Sequence, residues 1–199
     1  MKKTHNKSVN GVIMGKIILR IGTAIIFILC ALLIWRSCMV ADKSTFSKPI
    51  ATDALIAAYE DGESEMYTVK VNAEISDDGY FSAYAFYYNP ESGEAQFAVR
   101  WNDSVYEYTD MEAGYEYTFY LLNETTGEKY PATATESDKN LFYNYRRMVA
   151  EDVKVESDEK LVAVMELRDG HESKIVIKHA EQEMKEYKLP GKLKNELVG

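Results

Sequence analysis

Ile17 to Trp35 reads Ile-Ile-Leu-Arg-Ile-Gly-Thr-Ala-Ile-Ile-Phe-Ile-Leu-Cys-Ala-Leu-Leu-Ile-Trp, a run of 19 residues with one charge, Arg20. As a helix rising about 1.5 Å per residue it spans roughly 28 Å, close to the thickness of bilayer hydrocarbon. Arg20 stands one turn inside the N-terminal end, where its long stem reaches the headgroups. Trp35 and Arg36 close the other end, as residues at a membrane interface do. A segment this apolar beside a basic flank predicts a transmembrane helix rather than the core helix of a soluble domain.

A cleaved secretory signal shares the basic start, with Lys2, Lys3, Lys7 and Lys16, and the apolar middle. Cleavage needs small residues at the −3 and −1 positions. A cut after Ala41 puts Met39 at −3, and a cut after Ser37 puts Trp35 there. Cys38 follows Trp35-Arg36-Ser37 and Cys30 follows Phe27-Ile28-Leu29, neither of which is a small-residue lipidation box. An uncleaved signal anchor is therefore the expectation. Lys2, Lys3, Lys7, Lys16 and Arg20 precede or open the span, against Arg36, Lys43 and Lys48 after it. That bias predicts a single-pass protein of the cell membrane, with its N-terminus in the cytoplasm and the rest outside.

Charge divides at the same place. The whole chain carries −9, but residues 1–40 hold six basic and no acidic residues, and residues 41–199 carry −15. An acidic outer domain lacks the clustered cations that phosphate contacts need, so nucleic acid is excluded as a partner. It is also repelled by anionic lipid, which predicts a domain standing off the membrane on a linker. Both Cys belong to the anchor region, so no disulfide staples the outer domain. Its length suffices for a hydrophobic core.

Beyond the span, Ser44 to Pro49 is polar apart from Phe46 and predicts a linker. Thr52-Asp53 then caps a short helix over Ala54–Tyr59. From Tyr67 to Ile75 every odd position is apolar or aromatic and every even one polar, the period of a half-buried strand. Asp77-Asp78-Gly79 turns the chain into a second strand, Tyr80 to Tyr88. Phe97, Val99 and Trp101 face one side of a third, with Gln96 and Arg100 opposite. A short fourth strand over Val105–Tyr108, a loop over Asp110–Gly114 and a fifth strand over Tyr115–Leu121 follow. Pro131 marks a strand edge or end. Leu141 to Val155 holds one bent strand or two short ones. Leu161 to Leu167 is apolar on both faces and predicts a central strand. Arg168-Asp169-Gly170-His171 turns it into Lys174–Lys178, and Ala180 to Lys188 extends a strand or forms a tail helix. Many short strands with turns between them predict a mainly β fold: one antiparallel β-sandwich of 7–8 strands, or an eight-stranded barrel.

Phe119-Tyr120-Leu121 followed by Gly127-Glu128-Lys129-Tyr130 resembles the strand–turn–strand phrase of telokin-like immunoglobulin-like domains. These domains occur in cell-envelope proteins and lipoproteins of Gram-positive bacteria. Tyr145-Arg146-Arg147-Met148-Val149 and Leu161 to Leu167 are similar to the later strands of such domains. The resemblance implies an immunoglobulin-like sandwich that faces outward and acts in binding or assembly. It brings no catalytic residues.

The residues themselves supply little chemistry. His171 and His179 flank the last predicted strand, with Glu172 and Glu181 nearby, but metal-ligand spacing is lacking and they read as solvated His. No Gly-x-Ser-x-Gly elbow is present. Paired acids at Asp77-Asp78 and Glu60–Glu63 lack the alternating pattern of a calcium loop. Neither a catalytic group, a metal nor a cofactor is predicted.

The informative excess is tyrosine: all 15 lie beyond the span. Tyr favours pleated positions on propensity alone, and its polar tip on a large ring also suits peptide and glycan surfaces. Strict alternation puts Tyr80, Tyr84 and Tyr88 on one strand face. Tyr84, Tyr88, Tyr106 and Tyr108, placed on nearby predicted strands, are the binding candidates.

The expected organisation is a cytoplasmic basic tail over 1–16, a signal anchor over 17–37, a linker with a short helix over 38–64 and an extracytoplasmic sandwich over 65–199. The expected function is a non-catalytic binding or assembly module of the cell envelope. It would be held in the bilayer by the helix around Ile17, Arg20 and Trp35, and would bind a protein partner or cell-wall glycan. An accessory envelope hydrolase, or a structural subunit of a secretion or conjugation assembly, are the alternatives.

Overall fold

A computed structural model describes residues 5–60, 64–71, 74–102, 117–139, 143–167 and 169–198. The chain divides into two compact units, Met1–Ala41 and Asp42–Gly199. Helix α1 covers His5–Phe46. Within it Met14–Arg36, 23 residues of mean hydropathy 2.8, buries nothing against protein. Phe27 is 72% exposed and Leu19 71%. A soluble helix buries one apolar stripe, whereas this one is apolar all round and is long enough to cross a bilayer.

The second unit is mainly β. Helix α2 (Asp53–Glu60) starts at Thr52, whose hydroxyl accepts the Leu55 amide at 3.3 Å, the expected polar cap. Strands β1 (Tyr67–Thr68) and β2 (Glu74–Ile75) follow. The long strands are β3 (Phe81–Asn89), β4 (Glu94–Asn102), β5 (Thr118–Asn123), β6 (Lys129–Lys139), β7 (Tyr143–Ala150), β8 (Leu161–Glu166) and β9 (Glu172–Lys178). A two-residue strand β10 (Lys185–Glu186) and helix α3 (Gly191–Val198) end the described chain. Leu55 of α2 and Met66 pack with Leu193 and Leu197 of α3.

All ten strands join one antiparallel sheet in the order β10-β1-β3-β4-β7-β6-β5-β8-β9, with β2 alongside β3. The sheet curls, so that residues of β3, β4, β5, β7, β8 and β9 share a single inner core. Phe81, Phe86, Phe97, Trp101, Leu121, Leu161, Met165 and Ile177 are its fully buried large side chains. Strand β6 explains why the ladder is continuous. It pairs with β5 over Lys129–Ala132 and with β7 over Ala132–Lys139, so one strand belongs to both halves of the wall. Pro131 pairs with Tyr120 on β5 before the pairing with β7 begins. Its missing N–H therefore falls where β6 has a neighbour on one side only, as expected of proline.

Several expected elements are present. Strand β8 lies between β5 and β9 and is buried on both faces, with Leu161, Ala163 and Met165 inward and Val162 and Val164 outward. Strand β7 is one strand. Among the described residues, the expected strand over 67–75 is present as the pairs β1 and β2. The expected strand Val105–Tyr108 and the loop at Asp110–Gly114 lie outside the described residues.

One feature breaks the expected alternation. In β3 the pairing with β4 shifts between Ala83 and Ala85. Phe81 and Ala83 point inward before the shift, and Phe86 and Tyr88 after it. The inward positions change from odd to even numbers, because an extra residue exchanges the two faces of everything beyond it. Tyr84 and Tyr87 are left on the outer face.

Candidate functional site

Tyr84 and Tyr88, expected to share an exposed face, are both buried and lie on opposite faces of β3. The shift at Ala83/Ala85 is the reason. Tyr88 fills the inner core and donates its hydroxyl to the Val153 carbonyl at 3.1 Å. Tyr84 packs edge-on to Tyr145 on the outer face. Tyr106 and Tyr108 lie outside the described residues. Tyr84 and Tyr88 thus share no common surface.

The outer face of β3, β4 and β7 carries a connected set of buried polar side chains. Glu94 and Gln96 on β4 and Arg147 on β7 point away from the inner core, yet each is at most 3% exposed. They are covered by residues 45–52, the segment expected to be a linker. Phe46 stacks on Tyr145 with ring centres 5.9 Å apart and is itself 3% exposed. Together with Ala85, Ala98 and Tyr84 it makes a small aromatic cluster.

The polar contacts to this strap go mainly to its backbone. Arg147 Nη2 donates to the Thr45 carbonyl at 2.7 Å, while Nη1 pairs with Glu136 and the guanidinium lies 5.7 Å from the Phe46 ring centre. Tyr87 donates its hydroxyl to the Ser47 carbonyl at 2.6 Å. The Gln96 amide accepts the Ile50 N–H at 2.9 Å and donates to the Ile50 carbonyl at 2.9 Å, as a neighbouring strand would. Its second hydrogen goes to Glu94 Oε1 at 2.7 Å. Glu94 Oε2 accepts the Thr52 hydroxyl at 2.6 Å, and Thr52 caps α2. Burial pushes the Glu94 carboxyl up, the bonds from Thr52 and Gln96 oppose this, and Glu151 adds repulsion. Sequence reading missed this site because Phe46, Pro49 and Ile50 follow no helical or strand period, and the main-chain atoms bonded here leave no residue pattern.

Two other clusters are present. Asp78, in the turn before β3, accepts Ser76 and Ser173 hydroxyls at 2.7 Å, the Tyr80 amide at 3.2 Å and His171 Nε2 at 2.9 Å. Burial alone would raise its pKa, but the bonds from Ser173, Ser76, His171 and Tyr80 outweigh it and hold the carboxyl at about 2. The cluster ties the turn before β3 to β9 and closes the curl. It is not a catalytic triad, since Ser76 and Ser173 give their protons to Asp78 rather than to His171. On the outer face of β5, β8 and β9, Glu172 accepts from the Tyr120 hydroxyl at 2.5 Å and pairs with Lys174 at 2.7 Å and Lys129 at 3.4 Å. Lys174 and Tyr120 hold its carboxyl at about 2.

His179 borders an open depression with Lys70, Val71, Val176 and Glu181, and His171 is taken up by Asp78. Among the described residues no group of three or more His, Cys, Asp or Glu gathers as a metal site. Compared with family models, curated proteins and solved structures, the chain finds no match.

Proposed function

We propose that this chain is a single-pass membrane protein whose acidic C-terminal unit lies outside the cytoplasm and acts by binding or assembly in the cell envelope, without catalysis. The observation that carries the reading is the 23-residue helix Met14–Arg36, apolar on every side and buried nowhere against protein. The basic residues before it and the −15 charge beyond residue 40 support an N-terminus in the cytoplasm. Support for binding comes from the outer face of β3, β4 and β7, where buried Gln96 and Arg147 bond to main-chain carbonyls of residues 45–50. The immunoglobulin-like part of the reading rests on the phrase from Phe119 to Tyr130 alone.

The test is fractionation followed by protease access. In carbonate-washed membranes the full-length chain is expected in the pellet. Protease added outside intact cells stripped of wall should digest the region beyond residue 40. A soluble product beginning near residue 42 would replace the anchor with a cleaved signal. Protection from external protease, lost on lysis, would reverse the orientation.

A further inference from the structure

We propose that the groove between residues 68–71 and residues 176–185 is a binding site for a short peptide with free ends and one aliphatic side chain. The inference rests on reading the second unit as a binding module, and it names a site and a ligand class.

The groove follows from where one ladder stops. Strands β1 and β10 pair at Tyr67↔Glu186 and Thr68↔Lys185. Continued in that register, Lys70 would stand opposite Glu183. Both walls bend instead. The Val71 amide donates to the Val69 carbonyl at 3.0 Å, a three-residue turn of the kind found at strand ends. On the other wall the Gln182 amide donates to the His179 carbonyl at 3.0 Å. The Gln182 side chain reaches across the gap, and its Nε2 donates to the Lys70 carbonyl at 3.5 Å. Two depressions, of about 280 and 560 Å³, share Lys70, Glu181 and Gln182 in their walls. Small-ligand sites occupy roughly 300–1,000 Å³.

The lining sets the chemistry of the ligand. Val71 and Ile177 belong to the inner core and Val176 to the outer cluster of β5, β8 and β9, and all three line the smaller depression. Val69 lines the larger. These side chains form an aliphatic floor that takes an apolar group out of water. The rim carries both signs of charge: Lys70 and Lys185 with Glu181 and Glu183. Among the described residues none of these four is ion-paired, whereas Lys174 pairs with Glu172 and Lys160 with Glu124. A simple anion here meets two carboxylates, and a simple cation meets two ammonium groups. A dipolar ligand complements both pairs. A short peptide supplies a terminal carboxylate and ammonium, and its main chain offers bonds to walls where the ladder has stopped.

The test uses the full chain in detergent micelles and the tripeptide glycyl-leucyl-glycine, titrated by saturation-transfer NMR. Saturable binding to the native chain is expected. Acetylating and amidating the peptide ends should weaken it at least tenfold, and replacing the peptide by triglycine or by free leucine at least fivefold. Lys70→Glu and Glu183→Lys should each weaken it at least fivefold. Both side chains are exposed, so these variants are expected to keep the native unfolding midpoint. Lys192→Glu, on α3 and outside the groove, should leave binding unchanged. Absence of saturable binding, equal binding of the capped peptide, of triglycine or of free leucine, or indifference to either charge reversal in the groove overturns the proposal. So does a loss from Lys192→Glu as large as that from Lys70→Glu. Membrane fractionation reads none of these steps, so the two proposals fail separately.

Discussion

On the outer surface of β3, β4 and β7, Tyr84 and Tyr145 lie beneath a strap of main chain. On the outer surface of β5, β8 and β9, Tyr120 lies beneath Lys129, whose ammonium is 4.5 Å from its ring centre, and against Glu172. Both patches combine aromatic rings with charge on the same sheet. In the first, Glu94, Gln96 and Arg147 bond across to another segment and are dry. In the second, Glu172, Lys129 and Lys174 bond sideways to one another and stay partly wet. The difference separates a polar group that organises chain from one that decorates a surface. Removing the first kind leaves buried donors and acceptors unmatched, whereas removing the second lets water substitute.

The largest expected effect comes from Phe46→Ala. A Phe buried on a packed cluster costs about 3 kcal/mol when truncated. Thermal unfolding of the second unit should reveal that loss, and the strap amides should exchange faster. A loss below about 1 kcal/mol would mean that Phe46 rests on the sheet without being held, and the comparison would collapse.

Arg147→Lys comes next, at about 1–2 kcal/mol. A point charge cannot give the separate planar donors that Thr45 and Glu136 receive. Denaturant titration should show a shifted midpoint with an unchanged slope. The same exchange at the second patch, Lys174→Arg, should be silent.

Acid sharpens the contrast. Asp78 titrates at about 2 in the folded chain against an ordinary 3.8. Its contribution is fully present above the unfolded value and is lost as pH falls from about 4 toward 2. Solvent screening at a side chain 26% exposed reduces this to about 1 kcal/mol. Glu94 has the opposite sign. Its folded pKa is raised, so its contribution is complete below the ordinary carboxylate range and lost as pH rises through the folded value. Stability measured against pH in Asp78→Asn and Glu94→Gln should therefore change slope in opposite directions. Parallel profiles would show that one of the two environments is misassigned.

How much of this was legible in the sequence depends on the range of the interaction. The apolar helix, the Thr52 cap, the faces of Phe97, Val99 and Trp101, and the doubly buried β8 all follow from local period, and all are present. The order of strands did not follow, because β4 pairs with β7 and β5 with β8 across long stretches of chain. The exchange of faces in β3 occurs in Tyr-Ala-Phe-Tyr-Tyr, where every residue suits either side and no Gly marks a bulge. That single shift separated Tyr84 from Tyr88 and removed them as a shared surface. The strap was hidden for a related reason: its partners are carbonyls, which every sequence has.

The smallest expected effect is Glu172→Gln, under about 1 kcal/mol, since partly exposed ion pairs contribute little. Its value lies in the salt dependence. The native contribution comes from Lys174 and Lys129, so it should fade as ionic strength rises and the Debye length shrinks from about 10 Å at 0.1 M toward 3 Å at 1 M. The difference between native and variant midpoints is expected to close over that range. The loss from Phe46→Ala, by contrast, should persist at every salt concentration. Should the Glu172 difference persist as well, the bond from Tyr120, rather than the charges, holds the patch. Tyr120→Phe would then reproduce the loss, and the second patch would resemble the first more closely than its wetness suggests.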